Sequence, residues 1–363
     1  MSSVAPLDRP RRKPAGGRGA VRLALLGTGT VGSAFVARYQ SLRARRVALP
    51  TLAWLANSRA ARACGGDPAG ALAQANAVPR GAPGLQPWAE TEGLRAGDVL
   101  VDATASDAVA NWHAEWLARG VHVVTANKLG RGAQLARAQA IDDARHAGGA
   151  VYGDSATVGA GLPLLSSLRA LVAGGDHVHA VEGVLSGSMA WLFHRYDGER
   201  PFSACVREAR AAGYTEPDPR IDLSGEDVRR KLLILARSAG LALCAERVDV
   251  APLLPEALAA APAEALDDAL VLLDAPLRVR FEQARAAGER LCFVGRFDAQ
   301  GASVGLRSLP AGHPLLGGCG TDNRVAIRSD RYQVQPLLIQ GPGAGAEVTA
   351  AALLDDVLRI AAG

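Results

Sequence analysis

Lysine is nearly missing from this chain. Of its 40 basic residues only three are lysine, namely Lys13, Lys128 and Lys231, and the other 37 are arginine. A surface solubilised by arginine has little structural use for lysine. What lysine does that arginine cannot is release a proton near neutral pH when desolvated. Lys13 lies in a Pro-, Arg- and Gly-rich stretch, so Lys128 and Lys231 are the candidates for proton transfer. Chance survival of a few lysines under codon bias is the alternative.

Other shortages exclude whole classes. Aromatic residues make up 4% against 49% hydrophobic residues overall, which fits a globular α/β protein with an Ala, Leu and Val core. The five cysteines have no CxxC spacing, which argues against zinc and for reduced thiols in the cytoplasm. No apolar run reaches the roughly 18 residues of a membrane span. Arg18 and Arg22 precede LALLG, but that run is too short for a signal peptide. The formal charge of +4 comes from residues 1–20, and the rest is neutral, so nothing argues for nucleic acid. The seven histidines do not cluster, and His177 with His179 lacks a third metal ligand. No G-x-S-x-G or P-loop is present, against hydrolase and kinase chemistry.

Acidic residues, by contrast, crowd one stretch. Glu216, Asp218, Asp222, Glu226 and Asp227 precede Lys231 and an apolar run. Val228, Leu232, Leu235, Ala236 and Ala239 fit one helical face, with Ser224 as its N-cap. At about 100° per residue, Asp227 and Lys231 project roughly 40° apart. Two bland readings compete. The pair is a solvated i,i+4 ion pair, or Asp227 closes a capping box on the backbone.

Earlier in the chain, a buried strand runs into Gly27, Thr28, Gly29, Thr30, Val31 and Gly32, the G-x-G-x-x-G of a dinucleotide-binding turn that opens a helix. The strand at 51–57 ends in Asn57, Ser58 and Arg59 instead of an acidic residue. Neutral donors with an arginine suit a 2′-phosphate, hence NADP with NAD possible; a solvated surface arginine is the alternative. Residues 60–96 read as helix and loops. Strands at 98–106 and 121–130 end at Thr104–Ser106 and at Asn127–Lys128, where open parallel sheets bind ligands. Both lysines therefore face one site. Val158 to Gly161 expose backbone suited to a cation or ligand at close range, or form a plain strand–helix turn. Beyond Gly240 come short helices, four short strands of antiparallel type, a second glycine turn and an amphipathic helix.

Taken in order, GTGTVG, TANK, ATVGAGLP, LSGS, GYTEPDPRIDLSGEDVRRK and GPGAGAEVTA make the chain, from about Val21 onward, resemble homoserine dehydrogenase. It resembles the free-standing enzyme or the dehydrogenase part of the bifunctional aspartokinase enzyme, with no kinase portion and no ACT domain expected. The resemblance implies a cytoplasmic oxidoreductase interconverting L-aspartate 4-semialdehyde and L-homoserine with NAD(P)(H), for threonine and methionine synthesis. It implies a Rossmann-type doubly wound parallel sheet over 21–154 after a basic tail at 1–20. An α+β substrate and dimerisation domain over 155–340 and a C-terminal segment at 341–363 returning to the nucleotide domain would follow. A homodimer or homotetramer with a small-molecule substrate is expected, without nucleic acid or membrane partners.

By the same resemblance, Lys231 is the general acid/base with Lys128 a second candidate, and Glu216 binds the substrate amino group. Asp222 and Asp227 are further polar partners of substrate and lysine. Thr104, Lys128, Gly213 and Gly343 contact the cofactor. Val158, Ala160 and Leu162 supply backbone ligands to a monovalent cation such as sodium. Many members carry an acidic residue where this chain has Ser155, and Asp154 beside it faces the opposite side. Another amino-acid-linked NAD(P) dehydrogenase and a catalytically silent NADP-binding sensor are the competing classes. If Arg59 reads the 2′-phosphate, Arg59→Ala raises KM for NADPH more than KM for NADH in steady-state assays. Equal changes remove Arg59 from that role.

Overall fold

The computed structural model describes residues 21–79 and 93–363. The basic tail at 1–20, and residues 80–92 of the stretch expected as helix and loops, lie outside these.

The first half is a sheet in the order β3-β2-β1-β4-β5-β6. Its strands are β1 (Arg22–Leu26), β2 (Thr51–Ala56), β3 (Ala61–Ala63), β4 (Val99–Asp102), β5 (His122–Thr125) and β6 (Tyr152–Gly153). All run parallel except β3, which pairs antiparallel with β2. The strands are short apolar runs because a parallel sheet is covered on both faces; Leu23, Ala24, Leu25 and Leu26 are all fully buried. Helices α1 (Thr30–Ala44), α2 (Pro68–Ala77), α3 (Asp107–Ala118) and α4 (Leu135–Gly148) cover it. Their ends follow local chemistry. Asp67 caps α2 through Gly70 N–H with Pro68 at the first position, and Ser106 caps α3. Strand order reverses between β1 and β4, which opens a crevice at their carboxyl ends.

The second sheet runs β12-β11-β7-β9-β10-β8. Before its outer strands come α5 (Leu164–Ala173), β7 (Val178–Val184), α6 (Gly187–Arg195), α7 (Phe202–Ala211), α8 (Arg220–Leu223) and α9 (Glu226–Ser238). Then follow β8 (Val248–Val250), α10 (Glu256–Ala259), α11 (Leu266–Ala269) and α12 (Asp274–Ala286). The expected antiparallel strands are β9 (Glu289–Asp298), β10 (Gly301–Pro310), β11 (Asp322–Ser329) and β12 (Leu337–Pro342). β7 inserts between β11 and β9, and β8 adds a parallel edge to β10. The sequence reading contained neither β3 nor β8, since three-residue strands carry no period to detect.

Helix α9 departs from expectation in two ways. Its N-cap is Gly225, at φ +76°, and not Ser224. A Cβ at Gly225 would lie 3.1 Å from the Phe293 ring, so the chain turns tightly against the sheet there. Ser224 instead donates to the Ile221 carbonyl and accepts the Glu226 N–H. Burial is also not confined to one face: every residue from Lys231 to Ser238 is buried. The helix is enclosed by the second sheet on one side and by the turn after β5 on the other. Gly132 in that turn sits against the Arg230 carbonyl and Ile234.

The last helix, α13 (Ala346–Ala362), returns to the first sheet as expected. Leu353, Leu354 and Val357 share a core with Leu23, Leu25 and Phe35. Leu353 is fully buried there, so Leu353→Ala should cost about 2–5 kcal/mol of stability. Urea denaturation of both chains measures it, and a loss below 1 kcal/mol would show that α13 is only loosely docked.

Candidate active site

At the carboxyl end of β1 the chain turns through Gly27, at φ +97°. A Cβ there would sit 2.7 Å from the Ala103 carbonyl oxygen, so only glycine lets β1 and β4 run on side by side. A Cβ on Gly32 would lie 1.9 Å from the Gly27 oxygen, which fixes the close approach of α1 to the strand. Around Gly29 an added Cβ would meet nothing within 4 Å. Gly29 is the N-cap of α1 and offers no side-chain acceptor to the first-turn N–H groups. An open backbone rim with unsatisfied donors at a helix N-terminus fits the pyrophosphate of a dinucleotide.

Thr28 turns away from that rim. Its hydroxyl donates to Asn76 Oδ1 at 2.6 Å and accepts from Asn57 Nδ2 at 2.9 Å, and Asn76 Nδ2 donates back to the Thr28 carbonyl. Asn57 Oδ1 receives the N–H groups of Arg59 and Ala60. The Asn57 amide is thus spent on bracing the glycine turn. Ser58 is exposed, and the Arg59 guanidinium donates to the Val78 carbonyl at 2.8 Å beside α2.

The next two strand ends are knitted together. Thr104 Oγ1 accepts from Ser106 N–H and from Asn127 Nδ2 at 3.5 Å, and Asn127 also donates to the Ser106 carbonyl. Behind them lies a buried chain that the sequence pattern does not reveal. Asp102 accepts from Thr104 N–H and faces His113 Nε2 at 2.9 Å, and His113 Nδ1 meets the Tyr152 hydroxyl at 3.0 Å. Burial, then the charge of Asp154, raises the Tyr152 hydroxyl well above its ordinary range. Gly130, two residues past Lys128, packs on both the His113 and Tyr152 side chains.

Lys128 then reaches across to α9. Its Nζ lies 3.2 Å from Asp227 Oδ1, while Lys231 Nζ lies 2.8 Å from Asp227 Oδ2. The two scarce lysines thus meet on one carboxylate, and Asp227 is not spent on a capping box. Lys231, with a side chain 9% exposed, also donates to the Leu185 carbonyl at 2.8 Å. Asp227 keeps 40% of its side chain exposed. Crowding pushes its carboxyl up, but the charges of Lys231 and then Lys128 outweigh that and hold it far below the usual carboxylate range. Arg237, six residues past Lys231 on α9, ties the helix to the turn after β5 by donating to the carbonyls of Arg131 and Ala133. Burial, then the charge of Arg131, brings the Arg237 guanidinium down to about 10.

The acidic loop before α9 divides its duties. Asp222 spends both oxygens, on Ser188 Oγ at 2.7 Å and on Glu216 N–H at 2.9 Å, and burial raises its carboxyl. It folds the loop against the start of α6. Glu216 is exposed, and among the described residues its carboxylate has no partner. Gly213 ends α7: its N–H bonds the Arg210 carbonyl and Tyr214 N–H the Ala209 carbonyl, with φ +73° at the glycine. Gly343 is buried on the face of Asn323, whose Nδ2 donates to the same Leu185 carbonyl as Lys231.

The 158–162 turn holds Ala160 in the left-handed region at φ +50°. The Leu162 carbonyl already accepts Leu164 N–H at 2.8 Å, while those of Val158 and Ala160 accept nothing from the described residues. Ser155 binds Asp356 of α13 through its N–H and its hydroxyl, and Asp154 pairs with Arg169. Among the described residues no group of three or more His, Cys, Asp or Glu could hold a metal, and His179 pairs with Asp330.

Comparison with known proteins bears on both halves. Residues 27–153 match the family model of the homoserine dehydrogenase NAD binding domain, and 163–358 match the homoserine dehydrogenase model. The chain is 45% identical over 266 residues to a chloroplastic bifunctional aspartokinase/homoserine dehydrogenase of Arabidopsis thaliana, covering 72% of this chain but 29% of that protein. It is 38% identical over 271 residues to homoserine dehydrogenase of Schizosaccharomyces pombe, covering 72% of each. A putative homoserine dehydrogenase of Archaeoglobus fulgidus superposes with a TM-score of 0.73 at 26% identity, covering 94% of this chain and 100% of that one. The glycine turn and the paired lysines therefore fall in two halves that match one group of proteins, and the chain belongs to the homoserine dehydrogenase family.

Proposed function

We propose that the chain interconverts L-aspartate 4-semialdehyde and L-homoserine with NADP(H), and that NAD(H) also serves. The observation that carries the reading is the meeting of Lys128 and Lys231 on Asp227, with Lys128 at the same carboxyl end of the parallel sheet as the glycine turn. Membership of the family supports the substrate pair.

The donors of the 27–32 turn and the start of α1 hold the dinucleotide pyrophosphate, for which the open rim at Gly29 leaves room. When bound, the nicotinamide supplies or accepts the hydride. Thr104, Gly213 and Gly343 line the coenzyme side in this reading, and Ser58 and Arg59 the ribose side, while Asn57, expected beside them, braces the turn that carries both. The free carboxylate of Glu216 takes the substrate ammonium, and Asp222 holds the loop that presents it. An ammonium has three donors. Lys231 spends one on the Leu185 carbonyl and one on Asp227, which leaves one for the substrate oxygen. In reduction that proton passes to the forming alkoxide, and in oxidation Lys231 takes it back. Asp227 keeps both amines in place, and Lys128 adds positive charge beside the same oxygen. No step draws on a cation at Val158, Ala160 and Leu162. A two-domain division near residue 155 and a homodimeric or homotetrameric cytoplasmic enzyme belong to the same reading.

The test follows reduced coenzyme by absorbance with L-homoserine and NADP⁺. Lys231→Arg keeps a charge but cannot give up its proton, so kcat falls by about 100-fold or more while the circular dichroism spectrum stays native. Near-normal turnover removes Lys231 from the mechanism. Asp227→Asn leaves two amines facing one another without a counter-charge. It should lower kcat more than it alters coenzyme affinity, and a change confined to coenzyme affinity contradicts the assignment.

A further inference from the structure

We infer that Asn323 is a positioning residue for the Lys231 ammonium, acting through the Leu185 carbonyl that both donate to. The inference rests on the reaction proposed above.

Asn323 lies in β11, pairs across the strands with Gly341, and is fully buried. Its Nδ2 donates to the Leu185 carbonyl at 3.2 Å, and Lys231 Nζ to the same oxygen at 2.8 Å. A carbonyl oxygen has two lone pairs, and here both have donors. The oxygen cannot tilt toward one donor without weakening the bond to the other. Lysine carries its charge on a flexible four-carbon stem. The direction of its remaining N–H is set by the two acceptors it already holds, Leu185 and Asp227. Asn323 fixes the first of these.

The amide can sit only one way round. Turning it over would set two oxygens face to face, so Oδ1 points away and has no donor among the described residues. An apolar side chain of the same size would avoid that buried, unsatisfied acceptor. The amide cannot swing aside either, because it lies flat on Gly343, where an added Cβ would fall 1.9 Å from Asn323 Cγ. The closing glycine segment thus presses the amide against Leu185. Both groups donate to the Leu185 carbonyl and neither to the other, which makes the effect of Asn323 one of aim and not of chemistry.

Two variants of the full chain test this, Asn323→Leu and Asn323→Asp. Both should lower kcat with L-homoserine and NADP⁺ at pH 8 by about tenfold or more, since small misplacement of a reacting group is costly. The NADPH dissociation constant, read by coenzyme fluorescence, should move by less than about twofold. The substituted carboxylate has no donor for the carbonyl, so both variants leave the Leu185 oxygen to Lys231 alone, one with a charge at position 323 and one without. In each, kcat should fall by more than KM for L-homoserine changes. If the leucine variant does not fold, the aspartate variant decides alone, because its side chain keeps the shape of the native amide. Near-native kcat in a folded variant, or a loss matched by coenzyme affinity, overturns the inference. A native chain without turnover overturns the proposed reaction, and this inference with it.

Discussion

Asp227 carries one negative charge between two ammonium groups that arrive from different halves of the chain. Lys231 stands one turn further along the same helix, and Lys128 sits on the turn after the fifth strand of the first sheet. An i,i+4 pair alone on a helix surface contributes a few tenths of a kcal/mol. The third charge changes its meaning. Neither lysine can leave without exposing the other to a carboxylate it no longer shares, and loss of the carboxylate leaves two like charges in one cleft. The glycine turn, the strand ends and the acidic loop are all placed relative to that cluster. The buried Asp102, His113 and Tyr152 brace the Lys128 turn from behind, and Arg237 holds α9 to it from the side.

Much of this was legible from residue types and spacing. A strand, three glycines at fixed intervals and a helix specify their own geometry, because each glycine answers to a close backbone approach. The scarcity of lysine singles out Lys128 and Lys231, and the fold brings both onto Asp227. Arginine and histidine supply the cations of the other ion pairs among the described residues. The loop before α9 was legible as acidic. Its division of duties was not, since Asp222 and Glu216 differ only in what the fold puts against them.

What the sequence did not show shares a physical cause. Asn323 lies 138 positions from the carbonyl it binds, and Asp356 lies 201 from Ser155. Such contacts leave no periodic trace. The N-terminus of α9 misled for a nearer reason. Ser224 has the right chemistry for a cap, but Gly225 beside it takes φ +76°, and a Cβ there would press on Phe293 at 3.1 Å and Val304 at 3.3 Å. Packing against the sheet therefore overrode local preference, and the serine, one place before the cap, bridges the end of α8 and the first N–H of α9.

The return of α13 has a consequence for how the chain acquires its structure. Leu23, Leu25 and Phe35 belong to the earliest described segment, and the side chains that cover them, Leu353, Leu354 and Val357, are made more than 300 residues later. During synthesis the part of this core that α13 covers stays open until nearly all of the intervening sequence has emerged. That half cannot reach its final stability as a separate early unit. Its completion waits on a loop closure of very high sequence separation, the kind of contact that slows folding most.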